Sequence, residues 1–392
     1  MRLRRPKAET AVSWETARDR AAALPALDPV RLPLAEAGGT VLAAPLTARS
    51  DLPACDTAAM DGYAVAGPGP WTVIGRALPG RGGPRTLAPG EAAEIGTGAP
   101  VPDGAGAVLP YEQAVRAGDE VSGLAEPGRH VRRRGEEVAA GAEVLPAGAV
   151  LTPAALGLAA SLGNDAVTVR PRPRVAALVT GDEIVDSGPS GPGRTRDAVG
   201  PLLPGLVGWA GGTHLPPVRV PDQRDALRDA LAAAAAAAEV VTVCGASSKG
   251  PADHLRGVLA EAGAELVVEG VACRPGHPQL FARLPDGRPV VGLPGNPYAA
   301  LAAALTLLVP ALGALTGRAQ RPERARLLRT VAAHPSDTRL VPVRRTDGGV
   351  VPVDHDRPAL LWGAALADAL AVIPPGDRGG AVADVELLPL PG

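Results

Sequence analysis

Residues 174–183 read RVAALVTGDE, an almost wholly apolar run that closes on an acidic turn. A run without polar alternation is the pattern of a strand buried on both faces, as in a parallel sheet. VVTVCG (240–245), LVVEGVA (266–272) and PVVGLPG (289–295) repeat it downstream. Helical stretches lie between and after them. An Ala tract runs to about residue 238 with Asp222 as its expected cap, a second helix falls at 253–262, and YAALAAALTLLVPAL follows GLPGNP (292–297). A helix near 197–210 is interrupted by Pro201, Pro204 and Gly205, and LPPVRV (215–220) is a poor strand. Alternating strands and helices predict a three-layer α/β/α domain with a mostly parallel sheet over 171–318. Ligands in such sheets bind beyond the C-terminal strand ends, so the loops there are the first candidates for a site.

The flanks differ in texture. Residues 13–25 predict a helix with Ser13 near its cap and Pro25 as its stop. TPAALGLAASLG (152–163) predicts another, with Pro153 in its first turn and Gly163 at its end. Pairing these pieces makes one domain from two segments, 1–50 and 137–170. Between them, 51–136 carries short β-prone pieces broken by Gly and Pro, a small β-rich domain. Residues 319–392 are β again, with RLVPVRR-TDGG-VVPVD as a hairpin and AVADVELLPL as a last strand. A chain of 392 residues accommodates this many parts.

Composition excludes more than it identifies. Net charge is −2, so no global positive field draws nucleic acid or an anionic membrane, and neither is an expected partner. Cys55, Cys244 and Cys273 stand apart, against a disulfide framework or a cysteine zinc site. MRLRRPKAET precedes no apolar run of signal length, and no run is read as a membrane span, so the expected location is cytoplasmic. The six His form no metal pattern, and no Ser-His-Asp or Cys-His triad assembles.

Four loops can carry chemistry. TGDE (180–183) offers Thr180, Gly181 and Glu183 to a metal or a ligand hydroxyl, or is an ordinary polar turn. CGASSKGPAD (244–253) offers Gly245, Ser248, Lys249 and Asp253 ahead of a helix, and Lys249 is one of only two Lys in the chain. RPGHP (274–278) offers Arg274 and His277 to an anion, and GLPGNP offers Pro294 and Asn296 at a helix start. In the β-rich stretch, DTAAMDGYAV (56–65) sets Asp56 and Asp61 five residues apart.

Taken together the motifs resemble the molybdopterin molybdenumtransferase family, which includes the bacterial MoeA proteins and the E domain of gephyrin. AAMDGYAV (58–65), TGAPVPDGAGAVLPYE (97–112), RRRGEEVAAGAEVLPAGAVLTPAALGLAASLG (132–163), PRVAALVTGDEI (173–184) and GLPGNPYAA (292–300) carry the resemblance, in the family's order. It implies an elongated dimerisation domain from the two segments, the β-rich domain, the α/β domain as the molybdopterin binder, and a C-terminal β-barrel. It implies a homodimer that inserts molybdate into adenylylated molybdopterin with release of AMP, assisted by Mg²⁺. Carried over by motif, Asp56, Asp61, Glu183, Asp222 and Asp253 are the catalytic candidates. Thr97, Thr180, Gly181, Gly245, Ser248, Lys249, Arg274, His277, Pro294 and Asn296 would bind substrate, and Glu137, Glu183 and Asp253 would hold the metal. Carboxylate-held Mg²⁺ neutralises a phosphoanhydride, and a dianion needs cations or backbone donors.

Several positions depart from the family. Its GGVSVG is GASSKG here, its KPGKP is RPGHP, a Lys falls on Gly270, and DSN is DAV (197–199). In the tail an Arg falls on Pro342 and a Ser on Pro358. Lys249, Arg344, Arg345 or Arg357 are the expected replacement cations. The rival readings are a paralogue that binds molybdopterin or its nucleotide without turnover, and a scaffold in cofactor assembly.

Overall fold

The computed structural model describes residues 11–245, 253–319, 322–376 and 384–391. The chain divides into two compact units. One takes Met1–Val30, Gly39–Ala43 and Val169–Gly392, and the other takes Arg31–Gly38 and Ala44–Thr168.

The first unit is built on a seven-stranded sheet. Its order is Thr213–His214, Arg174–Thr180, Val240–Cys244, Pro289–Leu293, Leu280–Arg283 and Glu265–Glu269, with Val218–Val220 also on Arg174–Thr180. Three of the four apolar runs, Arg174–Thr180, Val240–Cys244 and Pro289–Leu293, are the parallel centre of this sheet, whereas LVVEGVA supplies the edge strand Glu265–Glu269, antiparallel to Leu280–Arg283 and partly exposed. Alternation within them serves two cores. Val175, Ala177 and Val179 face one cluster with the helices Trp14–Ala22, Leu203–Trp209 and 297–316, while Ala176 and Leu178 face another with Arg224–Ala237 and Leu255–Glu261. Helices on both faces bury each central strand, so polar alternation has no place there.

One strand was not read in the sequence. Leu280–Arg283 runs antiparallel to both of its neighbours, and Arg283 registers with Pro289 across the turn LPDGR (284–288). Pro-Asp-Gly between two apolar runs is a turn signature, and Gly287 takes φ +87° there.

Three helical expectations are revised. Asp222 does not cap the Ala-rich helix: Gln223 is the cap residue of Arg224–Ala237, with no side-chain cap bond. The helix after GLPGNP is not uniform. It is α over Pro297–Ala303, π over Ala304–Leu308 and α again over Val309–Thr316. Pro310 lacks the N–H that would close an ordinary turn there, which accounts for the wider one. Over Pro297–Thr316 this segment is also long and apolar enough to cross a membrane, with mean hydropathy 2.0, which the sequence reading missed. It is 89% buried within the protein, and so serves as the core helix on which the sheet packs.

The Trp14–Ala22 helix was expected to pair with the 137–170 segment. It buries Trp14, Ala17 and Ala21 in the sheet core of the first unit instead. Ser13 caps it by accepting from the Thr16 N–H at 3.1 Å. In the same unit a second sheet orders Cys273–Arg274, Thr338–Thr346, Ala369–Ile373, Asp384–Pro389 and Glu323–Arg326, with Gly349–Pro352 as the expected hairpin partner of Thr338–Thr346. A bridge from Leu327 to Val350 brings its two edges together.

The other unit is β-rich. Its six-stranded sheet orders Ala107–Pro110, Gly62–Val65, Glu91–Ile95, Trp71–Ala77, Glu120–Gly123 and Ala114–Ala117. The expected helix is Pro153–Ser161, with Thr152 Oγ1 accepting from Ala155 N and Pro153 in the first turn.

Candidate functional site

Three parallel strands end side by side, and their backbones nearly touch. Thr180 Oγ1 donates to Cys244 O at 3.0 Å, and Gly245 N donates to Leu293 O at 3.0 Å. Gly245 sits at φ +92°, and a Cβ there would lie 2.8 Å from Thr180 O. Gly181 sits at φ +123°, where a Cβ would meet Ile184 at 2.8 Å and the Glu183 carboxylate at 2.9 Å. Glycine is therefore required twice, once for close packing of strand ends and once for a turn that folds Glu183 back over the sheet.

A cleft of about 390 Å³ opens above these ends, lined by Thr180, Glu183, Asp197, Gly245, Pro294 and Asn296 among others. Pro278, Pro294 and Asn296 also line a neighbouring groove of about 730 Å³, whose polar wall is Arg274, His277, Ser336, Asp337, Arg339 and Asp356. The shared residues place the two next to each other. The structure thus brings together seven of the residues picked from the sequence: Thr180, Glu183, Gly245, Arg274, His277, Pro294 and Asn296.

The groove is built by long-range pairing. Cys273–Arg274 runs parallel to the start of Thr338–Thr346, with Arg274 registered on Arg339. Arg274 Nε donates to Asp337 Oδ2 at 2.6 Å, and Arg339 Nη2 to Asp356 Oδ2 at 3.0 Å. Burial works to raise the Asp337 carboxyl, but the bonds from Arg274 and Ser336 hold it below its ordinary value. Burial pushes the thiols of Cys244 and Cys273 up to about 12, so neither is a nucleophile at neutral pH.

At the helix start of GLPGNP the first N–H groups are engaged by the tail. Tyr298 N donates to Pro358 O at 3.0 Å and Ala299 N to the same oxygen at 3.4 Å. These two helix N–H groups are satisfied by the tail rather than offered to an anion. The residue that stands where the family has Ser contributes a carbonyl.

The remaining expected residues lie elsewhere. Asp222 is tied to Asp182: each backbone N–H donates to the other's carboxylate at 3.2 Å. Asp253 Oδ1 accepts from Leu255 N at 3.2 Å, and Asp253 faces Arg256 at 3.8 Å. Ser248 and Lys249 lie outside the described residues. Arg344 donates to Leu366 O and Arg345 pairs with Glu323, and neither lines either cavity.

Asp56, Asp61, Thr97 and Glu137 belong to the other unit. Asp61 Oδ1 accepts from Thr97 N at 2.6 Å and from Thr97 Oγ1 at 2.9 Å, and these two bonds hold its carboxyl below the usual range. Asp56 accepts from Arg134 N at 2.9 Å and Arg133 Nη1 at 2.5 Å, with the same effect. Glu137 is exposed, and its N–H donates to Leu52 O at 3.0 Å.

Among the described residues no three His, Cys, Asp or Glu side chains converge as a metal cage. Mg²⁺ does not demand one, since it is commonly held by one or two carboxylates together with substrate phosphates. Glu183 is the one expected metal ligand that lines the strand-end cleft. Sequence reading missed Arg339, Asp337 and Asp356. Only strand pairing across 63 residues brings this trio to Arg274, so no local signal marks it.

Three family models cover the chain. Residues 12–163 match the MoeA N-terminal region (domain I and II), 176–314 a probable molybdopterin binding domain, and 324–388 the MoeA C-terminal region (domain IV). Molybdopterin molybdenumtransferase 2 of Mycobacterium tuberculosis is 36% identical over 333 residues, 79% of this chain and 82% of that one. Molybdopterin molybdenumtransferase 1 of the same organism is 33% identical over 422 aligned positions, 96% and 98% of the two chains. The crystal structure of a molybdopterin biosynthesis MoeA protein from Pyrococcus horikosii superposes with a TM-score of 0.80 at 28% identity, covering 97% of this chain and 99% of that one. With its domains in this order, the chain belongs to the molybdopterin molybdenumtransferase family and has its role in molybdenum cofactor biosynthesis.

Proposed function

We propose that the chain inserts molybdate into adenylylated molybdopterin with release of AMP. The observation that carries this is a cleft and groove that adjoin, with glycine backbone lining the first and Arg274 and Arg339 lining the second. Gly245 lines the cleft at the strand ends, where Thr180 and Asn296 supply hydrogen-bonding groups. Arg274 supplies a fixed cation for an oxyanion, and its bond to Asp337 orients it.

Glu183, which lines the cleft, would hold Mg²⁺ together with substrate phosphate. When bound, the metal supplies charge neutralisation at the phosphoanhydride. Asp253 has its carboxylate engaged at the start of its own helix. The homodimer, the closed tail barrel and the cytoplasmic location are further parts of this proposal. Burial of the 297–316 helix and the unpaired Cys55, Cys244 and Cys273 support the last of these.

The test is AMP release from adenylylated molybdopterin with Mg²⁺, with and without molybdate. Release that depends on molybdate and yields active cofactor supports the transferase. Tight binding without release, beside an active relative, makes the chain a carrier and ends the proposal.

A further inference from the structure

We propose that Arg196 is the cation of the strand-end cleft and binds a phosphate of the substrate's phosphoanhydride, while Glu183 serves the metal. This deepens the functional reading above and rests on adenylylated molybdopterin occupying that cleft.

The backbone of Arg196 is fixed and its side chain is not. Thr195–Arg196 pairs parallel with Ile184–Val185, with Arg196 registered on Val185. Thr195 N donates to Glu183 O at 2.8 Å, Asp197 N to Val185 O at 3.0 Å, and Arg196 N to Ser190 Oγ at 3.0 Å. The turn that carries Glu183 and the short strand that carries Arg196 are thus one ribbon. The Arg196 guanidinium, by contrast, has no hydrogen bond or ion pair with any described residue. Two other arginines around this ribbon are spent. Arg194 Nη1 donates to Asp182 O at 2.7 Å, and Arg219 donates to Ile184 O at 2.6 Å and faces Asp186 at 3.5 Å.

Charge in the cleft makes a cation necessary. Two carboxylates line it, Glu183 and Asp197, and Arg196 is the one cationic side chain among its described lining residues. A phosphoanhydride entering beside two carboxylates meets like charge, which positive charge at the same place must offset. Asp197 turns its Oδ1 to the N–H groups of Val199 and Gly200, at 3.0 and 2.9 Å, rather than to Arg196. A guanidinium presents a fork of donors that fits two phosphate oxygens, and it stays charged at every working pH. An arginine already in an ion pair must first break it, and Arg196 has none to break.

A guanidinium that merely faces solvent would be silent in every assay. The phosphate contact is not. Arg196→Gln raises the KM for adenylylated molybdopterin about tenfold or more, as expected for loss of a charge-assisted bond, and leaves the KM for molybdate unchanged. The kcat stays near wild type, since the contact holds substrate before and during the reaction alike. Arg196→Lys keeps the charge without the fork and falls between the two. Neither variant moves the melting temperature, because no protein partner is lost. Arg228→Gln, on the helix Arg224–Ala237 where Arg228 pairs with Asp225 and Asp229, is the control and leaves both KM values unchanged.

The measurement is AMP release against the concentration of adenylylated molybdopterin at saturating molybdate and Mg²⁺, with calorimetric titration of AMP into each variant. A raised KM with weakened AMP binding puts the adenylyl phosphate at Arg196, and a raised KM with AMP binding kept puts the pterin-side phosphate there. A wild-type KM in Arg196→Gln, or a rise confined to molybdate, overturns the contact and leaves the function standing. If the wild type releases no AMP, titration of adenylylated molybdopterin itself decides. Affinity lowered in Arg196→Gln then keeps the contact while the function falls, and equal affinity overturns both.

Discussion

At the scale of single residues, Gly245 is the position where geometry leaves least choice. Its φ of +92° strains any residue with a Cβ, and that atom would stand 2.8 Å from Thr180 O and 3.0 Å from Thr180 Oγ1. Gly245→Ala should therefore cost about 1–3 kcal/mol through strain and the separation of two strand ends. Urea unfolding reads this as a lower midpoint, and a midpoint equal to wild type would remove the close-packing argument. The glycine was legible because it ends an apolar run before a helix. The roles of Asp222 and Asp253 were not. Asp222 looked like a helix cap, and its true partner is Asp182, 40 residues earlier. Asp253 matched a family position by letter, and the structure gives its carboxylate to the Leu255 N–H. A motif fixes which residue stands at a place, while its hydrogen bonds depend on chain that arrives from elsewhere.

At the scale of elements, the central strands were legible because burial on both faces leaves an unbroken apolar signature. Leu280–Arg283 was hidden because a strand of four residues, set between RPGHP and a Pro-Asp-Gly turn, is too short for a period to show. The long core helix was legible as a helix, but its π turn was not. Thr306 Oγ1 donates to Ala302 O at 2.7 Å and accepts from Trp14 Nε1 at 3.1 Å, both within the core. This hydroxyl joins the N-terminal helix to the core helix across 292 residues. Thr306→Val keeps the shape and strands the indole N–H in apolar surroundings, which should cost about 1–3 kcal/mol. Thr306→Ser should recover most of that loss. Equal stability of wild type and the valine variant, measured by denaturant unfolding, would mean that the indole finds another acceptor.

At the scale of the whole molecule, composition suggested several parts and the chain folds into two compact units with separate cores. Phe281, the sole Phe, is fully buried among the sheet and helices of the first unit. Ile95 is 1% exposed within the core of the β-rich unit. Unfolding of a chain with separate cores need not be a single two-state event. Phe281→Ala should cost about 3–5 kcal/mol and Ile95→Ala about 2–5 kcal/mol, each in its own unit. Scanning calorimetry should then resolve two transitions, with Phe281→Ala lowering one and Ile95→Ala lowering the other. The helix containing Trp14 provides the sharper assignment. Although it lies ahead of the β-rich unit in sequence, its core lies with Phe281, so Thr306→Val must move the same transition as Phe281→Ala. If both core variants lower one common transition by equal amounts, the two units melt as one cooperative body, and the division into separate cores has no thermodynamic counterpart.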